Sequence, residues 1–130
     1  NFAGPQVAEW SRSNRWATLS NVLIIAREEV VAALLGLMVE LCGLQPTFPE
    51  VGESIAGAIA RFIPTAVVLD CDHPDCGEGL FDTIRRAGAV PILFSPYRMQ
   101  TEMQEVAARH GTRSFTLPTD PATFAKVLDA

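Results

Sequence analysis

Apolar residues along this chain fall into short blocks parted by charged or glycine-bearing breaks, and the blocks alternate between two periods. Val22-Leu23-Ile24-Ile25 is an unbroken apolar run of strand length. Beyond it, Val31, Leu34, Leu35, Met38, Leu41 and Cys42 recur every three or four residues, the spacing of a helix face. Glu28 and Glu29 stand in the first turn, where the helix dipole favours acids. Gly43 follows the last periodic residue and supplies a stop. The apolar arc is wide and takes in Val30 and Leu37, so this helix is expected to be deeply buried or covered by a partner.

The alternation repeats down the chain. Leu44 to Val51 is the weakest strand candidate, because Pro46 and Pro49 each remove a ladder donor and confine it to a sheet edge or a loop. Ile55, Ala56, Ile59, Ala60 and Phe62 mark a short helix that stops before Pro64. Ala66-Val67-Val68-Leu69-Asp70 is a buried strand ending in a carboxylate, followed by an acidic loop from Asp72 to Gly79. Leu80, Phe81 and Ile84 begin a helix ended by Gly88, and Val90 to Phe94 is a further strand ending at Ser95-Pro96. Met99, Met103, Val106 and Ala107 give a helix closed by Gly111, and Arg113 to Leu117 a fifth strand. Asp120-Pro121 then supplies a cap and a first-turn proline for a last helix, with Phe124, Val127 and Leu128 facing inward.

Five strand-then-helix units in a row require a parallel sheet with right-handed crossovers. The expected fold is α/β, a doubly wound three-layer α/β/α sandwich on a five-stranded sheet, spanning residues 21–130. Residues 1–20 have no clean period and read as a leader or linker. In the sharper alternative, Trp10 and Trp16 pack onto a neighbouring surface.

Composition narrows the function classes. The chain has 130 residues, 48% of them apolar, with no run of membrane-spanning length, so a soluble single domain is expected. A net charge of −5, with only Arg12 and Arg15 clustered near the start, argues against a nucleic-acid surface. Cys42, Cys71 and Cys76 are an odd count at irregular spacing, which suits a reducing, cytoplasmic setting.

In doubly wound sheets, ligands and chemistry gather at the carboxyl ends of the strands. Those ends carry Ala26 and Arg27, Asp70, Ser95, and Leu117-Pro118. Asp70 is the first candidate. The plainer alternatives are an Asp70 that caps its loop, a solvated Arg27, a Ser95 that only turns the chain before Pro96, and a Phe115 that only packs.

At these positions the chain resembles the receiver domain of two-component response regulators, the CheY-like superfamily. Leu69-Asp70 with His73-Pro74 is similar to the phosphoacceptor strand and its following loop, and Gly79 to the loop's closing glycine. Ser95 matches the hydroxyl that senses phosphate, and Phe115 the aromatic switch residue. The resemblance covers Asn21 to Ala130 and implies a flavodoxin-like strand order of 2-1-3-4-5, with Asp70 as the phosphoacceptor equivalent. It implies a pocket of Ala26, Arg27, Asp72, Ser95 and Pro118, and Ser95 and Phe115 as switch residues.

The departures from that pattern change the expected function. Family members hold Mg²⁺ with an acidic pair after the first strand, where Ala26 and Arg27 stand here. They also end the fifth strand in a lysine, where Pro118 stands here; Lys126 is the sole lysine. A guanidinium would repel the metal and pair with Asp70. Phosphoryl transfer rests on charge neutralisation, so the resemblance implies a pseudo-receiver: no enzyme, no cofactor, and action through protein contact. The implied partners are a histidine kinase or an output domain, and a homodimer through Met99 to Ala130 or through the first helix. The alternative is a conventional receiver, phosphorylated at Asp70 by a histidine kinase, in which Glu28 joins Asp70 and Asp72 to rescue a Mg²⁺ site.

Three other chemistries compete. Cys71, His73 and Cys76, with Asp72 or Asp75 beside them, offer a metal-binding set without the second ligand cluster of a structural zinc site. A cobalamin loop fails, because Cys71 and Cys76 occupy its flanking positions. A dinucleotide site fails for want of glycine in Ala26-Arg27-Glu28-Glu29. No catalytic triad is legible, and His110, at a helix end, is expected to cap carbonyls.

Overall fold

The computed structural model describes residues 20–129. Strand and helix alternate along the chain: β1 (Asn21–Ile25), α1 (Glu29–Leu41), β2 (Gln45–Thr47), α2 (Ile55–Phe62), β3 (Ala66–Asp70), α3 (Glu78–Arg86), β4 (Val90–Phe94), α4 (Gln100–His110), β5 (Arg113–Ser114) and α5 (Pro121–Asp129). All strand pairs are parallel, and the sheet order is β2-β1-β3-β4-β5. The leader and its two tryptophans lie outside the described residues. No helix among the described residues is long and apolar enough to cross a membrane.

The two-residue period of a strand divides the core between the faces of the sheet. Leu23, Ile25, Val67, Leu69 and Leu93 pack one way, against Ile55 and Ile59 of α2, Phe81 and Ile84 of α3, and Met103 of α4. Val22, Ile24, Val68, Ile92 and Phe94 point the other way, onto Leu35, Met38 and Val39 of α1 and Phe124 of α5. Because β1 and β3 are covered on both sides, every one of their residues is buried. β2 contains Pro46 and lies at the sheet edge, where a missing N–H does least damage.

Several boundaries differ from the sequence expectation for identifiable reasons. β5 ends at Ser114 instead of Leu117. Phe115 still donates its amide to the Leu93 carbonyl at 3.0 Å, and the chain then leaves the sheet toward a cis Leu117–Pro118 bond. Gly79 lies within α3, and Gly77 takes the N-cap position. The C-cap of α2 is Ile63 at φ 48°, a left-handed conformation costly for a β-branched residue, reached just where Pro64 forbids another helical turn. Of the two expectations for α1, deep burial does not hold: Leu35, Met38 and Val39 are buried, but Val30, Leu34, Leu37 and Leu41 face outward.

Candidate functional site

Parallel register places the β1, β3 and β4 carboxyl ends side by side. Ile25 pairs with Leu69, and Asp70 with Phe94, so Ala26, Asp70 and Ser95 stand together at the carboxyl ends of the three inner strands. Asp70 is only 1% exposed, and both of its carboxylate oxygens are engaged. Oδ1 accepts the Asp72 amide at 2.9 Å, an Asx-type turn that folds the β3–α3 loop back over the strand end. Oδ2 accepts Nε of Arg27 at 2.9 Å. That bond to Asp70 holds the Arg27 guanidinium above its ordinary pKa.

A second ion pair sits beside the first. Nη2 of Arg98 donates to Asp72 Oδ1 at 2.7 Å, and its Nε lies 3.2 and 3.3 Å from the two Asp72 oxygens. Ser95, fully buried, donates Oγ–H to Asp72 Oδ2 at 3.2 Å and accepts the Tyr97 amide at 3.1 Å. Arg98 first, and Ser95 after it, hold the Asp72 carboxyl below the usual carboxylate range. Tyr97 then donates its hydroxyl to Glu28 at 2.7 Å. The β1–α1, β3–α3 and β4–α4 loops are thereby tied together over Asp70. Tyr97 and Arg98 are not among the site residues that the sequence suggests. The signal available was their place directly after Ser95-Pro96, on the strand that neighbours β3.

The other expected site residues are distributed as follows. Ala26 lies next to Arg27, half-buried against the α1 side of the core. Pro118 is placed elsewhere: it is exposed and lines a groove of about 540 Å³ between α4 and α5, with Gln104, Phe115 and Asp120. None of Arg27, Asp70 or Asp72 borders that groove. Phe115 is a core residue, stacked on Phe94 (centroids 5.6 Å apart) and edge-on to Phe124 at 5.0 Å.

The donor set does not fit Mg²⁺. The His, Cys, Asp and Glu side chains gathered closely enough to share an ion, among the described residues, are Asp70, Cys71 and Asp72, whose ligand atoms lie within 4.8 Å of one another. Mg²⁺ requires an octahedron of hard oxygen ligands. One of these three groups is a thiol, which burial pushes up to about 11. The oxygens of the other two are already occupied by Arg27, Arg98, Ser95 and a backbone amide. Glu28 is outside the group, held by Tyr97. Arg27 and Arg98, two guanidinium groups of the chain, pair with the Asp70 and Asp72 carboxylates.

Cys71, His73 and Cys76 do not converge on a common point either. His73 Nδ1 accepts the Asp75 amide at 3.0 Å, and both cysteines pack against the α2–α3 side of the core. Burial also raises the Cys76 thiol to about 11. His110 does not cap helix carbonyls. Its ring meets the Glu78 carboxylate of α3 and stands edge-on to Phe81 at 5.1 Å, while its own carbonyl accepts from Arg85 at 3.0 Å.

No protein-family model matches this sequence, and no curated protein sequence matches it. Solved structures do. The receiver domain of a sensor histidine kinase from Pseudomonas aeruginosa, crystallised with a magnesium ion in its active-site cleft, is 18% identical and superposes with a TM-score of 0.64 over 85% of this chain and 95% of that one. A sensor protein from Polaromonas sp. is 23% identical, with a TM-score of 0.63 over 85% of this chain and 93% of that one. A response regulator receiver protein from Burkholderia phymatum is 16% identical, with a TM-score of 0.60 over 85% of this chain and 95% of that one. With five parallel strands in the order 2-1-3-4-5 and helices on both faces, the chain has the flavodoxin-like fold of the response-regulator receiver domains.

Proposed function

We propose that this chain is a receiver-like signalling domain of two-component type, in which protein ion pairs stand where phosphorylation would act. The observation that carries this reading is the 2.9 Å bond from Arg27 to Asp70. Phosphoryl transfer needs an accessible nucleophile and spare positive charge around the transferred group. Here the equivalent carboxylate is buried and already neutralised. The chain's single lysine, Lys126, is exposed in the last helix. Arg98 is the other nearby cation, and Asp72 holds it.

With its loops tied in one arrangement, the domain acts by contact and catalyses nothing. Its partner is a protein of the same signalling class, a histidine kinase or an output domain, and self-association through the α4–β5–α5 face is part of the same reading. The test is direct. The protein is incubated with acetyl phosphate and Mg²⁺ and its intact mass is measured. No stoichiometric mass gain is expected. One acid-stable phosphate mapped to Asp70 overturns the proposal and makes the domain a conventional phosphoacceptor.

A further inference from the structure

A cavity of about 560 Å³ opens beside Arg27, bounded by the first turns of α1, the β2–α2 loop and the β3–α3 loop. Arg27 lines it, but Asp70, Asp72 and Ser95 do not, so it is separate from the network built on those three. Its volume is that of a small-molecule site. Ala32 and Ala33 of α1, Phe48 and Pro49 after β2, and Ile25 and Ile55 give it an apolar wall. Gly36 seats the largest of these side chains. A Cβ at Gly36 would stand 2.9 Å from the tip of the Phe48 ring, closer than carbon atoms pack. The ring thus lies hard against α1 and is still 40% exposed. Apolar surface left open within a polar rim marks a ligand groove.

The polar groups of the lining decide what that ligand is. Arg27 gives Nε to Asp70, and among the described residues its Nη1 and Nη2 have no hydrogen-bond partner. His73 accepts the Asp75 amide at Nδ1, so its neutral ring carries the proton on Nε2 and has one N–H to donate. The lining therefore offers two donors in search of an acceptor. It does not favour an anion. Asp70 already balances the Arg27 charge, and Glu29 and Asp75, both exposed in the lining, have no ion-pair partner among the described residues. Glu53 is held by Arg61 at 2.7 and 2.8 Å. A cation would meet those acids but would face the two N–H donors.

We propose that this cavity binds an uncharged, mainly apolar small molecule whose carbonyl-type oxygen accepts hydrogen bonds from Arg27 Nη and His73 Nε2. Arg27 then joins the occupant to the Asp70 ion pair. The inference does not rest on whether Asp70 is ever phosphorylated, and the mass measurement above neither supports nor removes it.

Three one-ring probes that differ in charge test it on the full chain: acetophenone, benzoate and benzylamine, each titrated against backbone amide NMR signals. Acetophenone should give saturable shifts at Ala33, Phe48 and His73, and the two charged probes should bind at least about ten-fold more weakly. Ala33→Leu, which adds bulk to the lining from an exposed helix position, should abolish the shifts with an unchanged far-UV circular dichroism spectrum. His73→Phe keeps a ring and removes the donor, and should weaken acetophenone about three- to ten-fold. Absence of saturable shifts at these residues overturns the proposal. So does benzoate or benzylamine binding as tightly as acetophenone, or acetophenone binding undiminished in both variants. Shifts centred on the α4–α5 groove assign the probe to that groove and overturn it as well.

Discussion

Arg27 and Asp70 meet at the carboxyl ends of β1 and β3 with very unequal exposure: the arginine side chain is 38% accessible and the aspartate side chain 2%. Their removal therefore has unequal consequences. Without Arg27, a buried carboxylate keeps only a backbone amide and loses its one charged partner. Without the Asp70 charge, the guanidinium simply turns to water. Arg27→Ala should lower the urea midpoint at pH 7 more than Asp70→Asn does. In an Asp70→Asn background, Arg27→Ala should change it little. Four-variant unfolding curves measure the coupling, and additive effects would dismiss the ion pair as an organising contact.

Tyr97 is the only tyrosine in the chain, so its absorbance titration has one origin. Donation to Glu28 raises its pKa above the ordinary value of about 10. The folded state holds this proton more tightly than the unfolded chain does. The contribution to stability is thus complete below about pH 10 and is lost as pH climbs through the folded value. In Glu28→Gln the titration should move back toward the ordinary tyrosine value. An unchanged curve would mean that the hydroxyl bond does not persist in solution, and that the β1–α1 and β4–α4 loops are not joined.

Asp72 tests the second ion pair with the opposite sign. Its carboxyl is held below the usual range by Arg98, so its contribution is complete above the ordinary carboxylate pKa of about 4. That contribution fades as pH falls through the lower folded value. Arg98→Ala should be less stable than the unaltered protein at pH 7, with the two converging in acid once Asp72 is protonated in both. Carboxylate titration by NMR should show Asp72 rising toward its ordinary value in the variant. A constant stability gap down to acid pH would refute a charge-based role for Arg98.

The parts of this structure that were legible in sequence are those governed by local periodicity and sharp punctuation. The runs 22–25, 66–70 and 90–94 are strands buried on both faces, and Asp120-Pro121 caps its helix, the Asp120 side chain accepting the Thr123 amide at 2.7 Å. What escaped notice depends on distance in space. Arg98 lies 26 residues from Asp72 and Tyr97 lies 69 from Glu28, and only the adjacency of β3 and β4 and the meeting of three loops bring them together. A place for Pro118 in the pocket requires β5 to run to Leu117, whereas that strand stops at Ser114. The loose metal motif failed for a related reason: spacing along a loop does not say that Cys71 and Cys76 turn into the core.

Phe115 offers the last discrimination, between packing and switching. It is sandwiched between Phe94 on the sheet and Phe124 on α5, at 5.6 and 5.0 Å, and no polar partner competes for it. A ring that only packs should obey the rules of core truncation. Phe115→Ala is expected to cost about 3–5 kcal/mol, and Phe115→Leu distinctly less because much of the volume remains. The pair Phe115→Ala and Phe124→Ala should be non-additive, since each removes the contact on which the other's loss depends. A Phe115→Ala variant of near-native stability in chemical denaturation would show that the ring readily leaves this site, which is the behaviour of a switch.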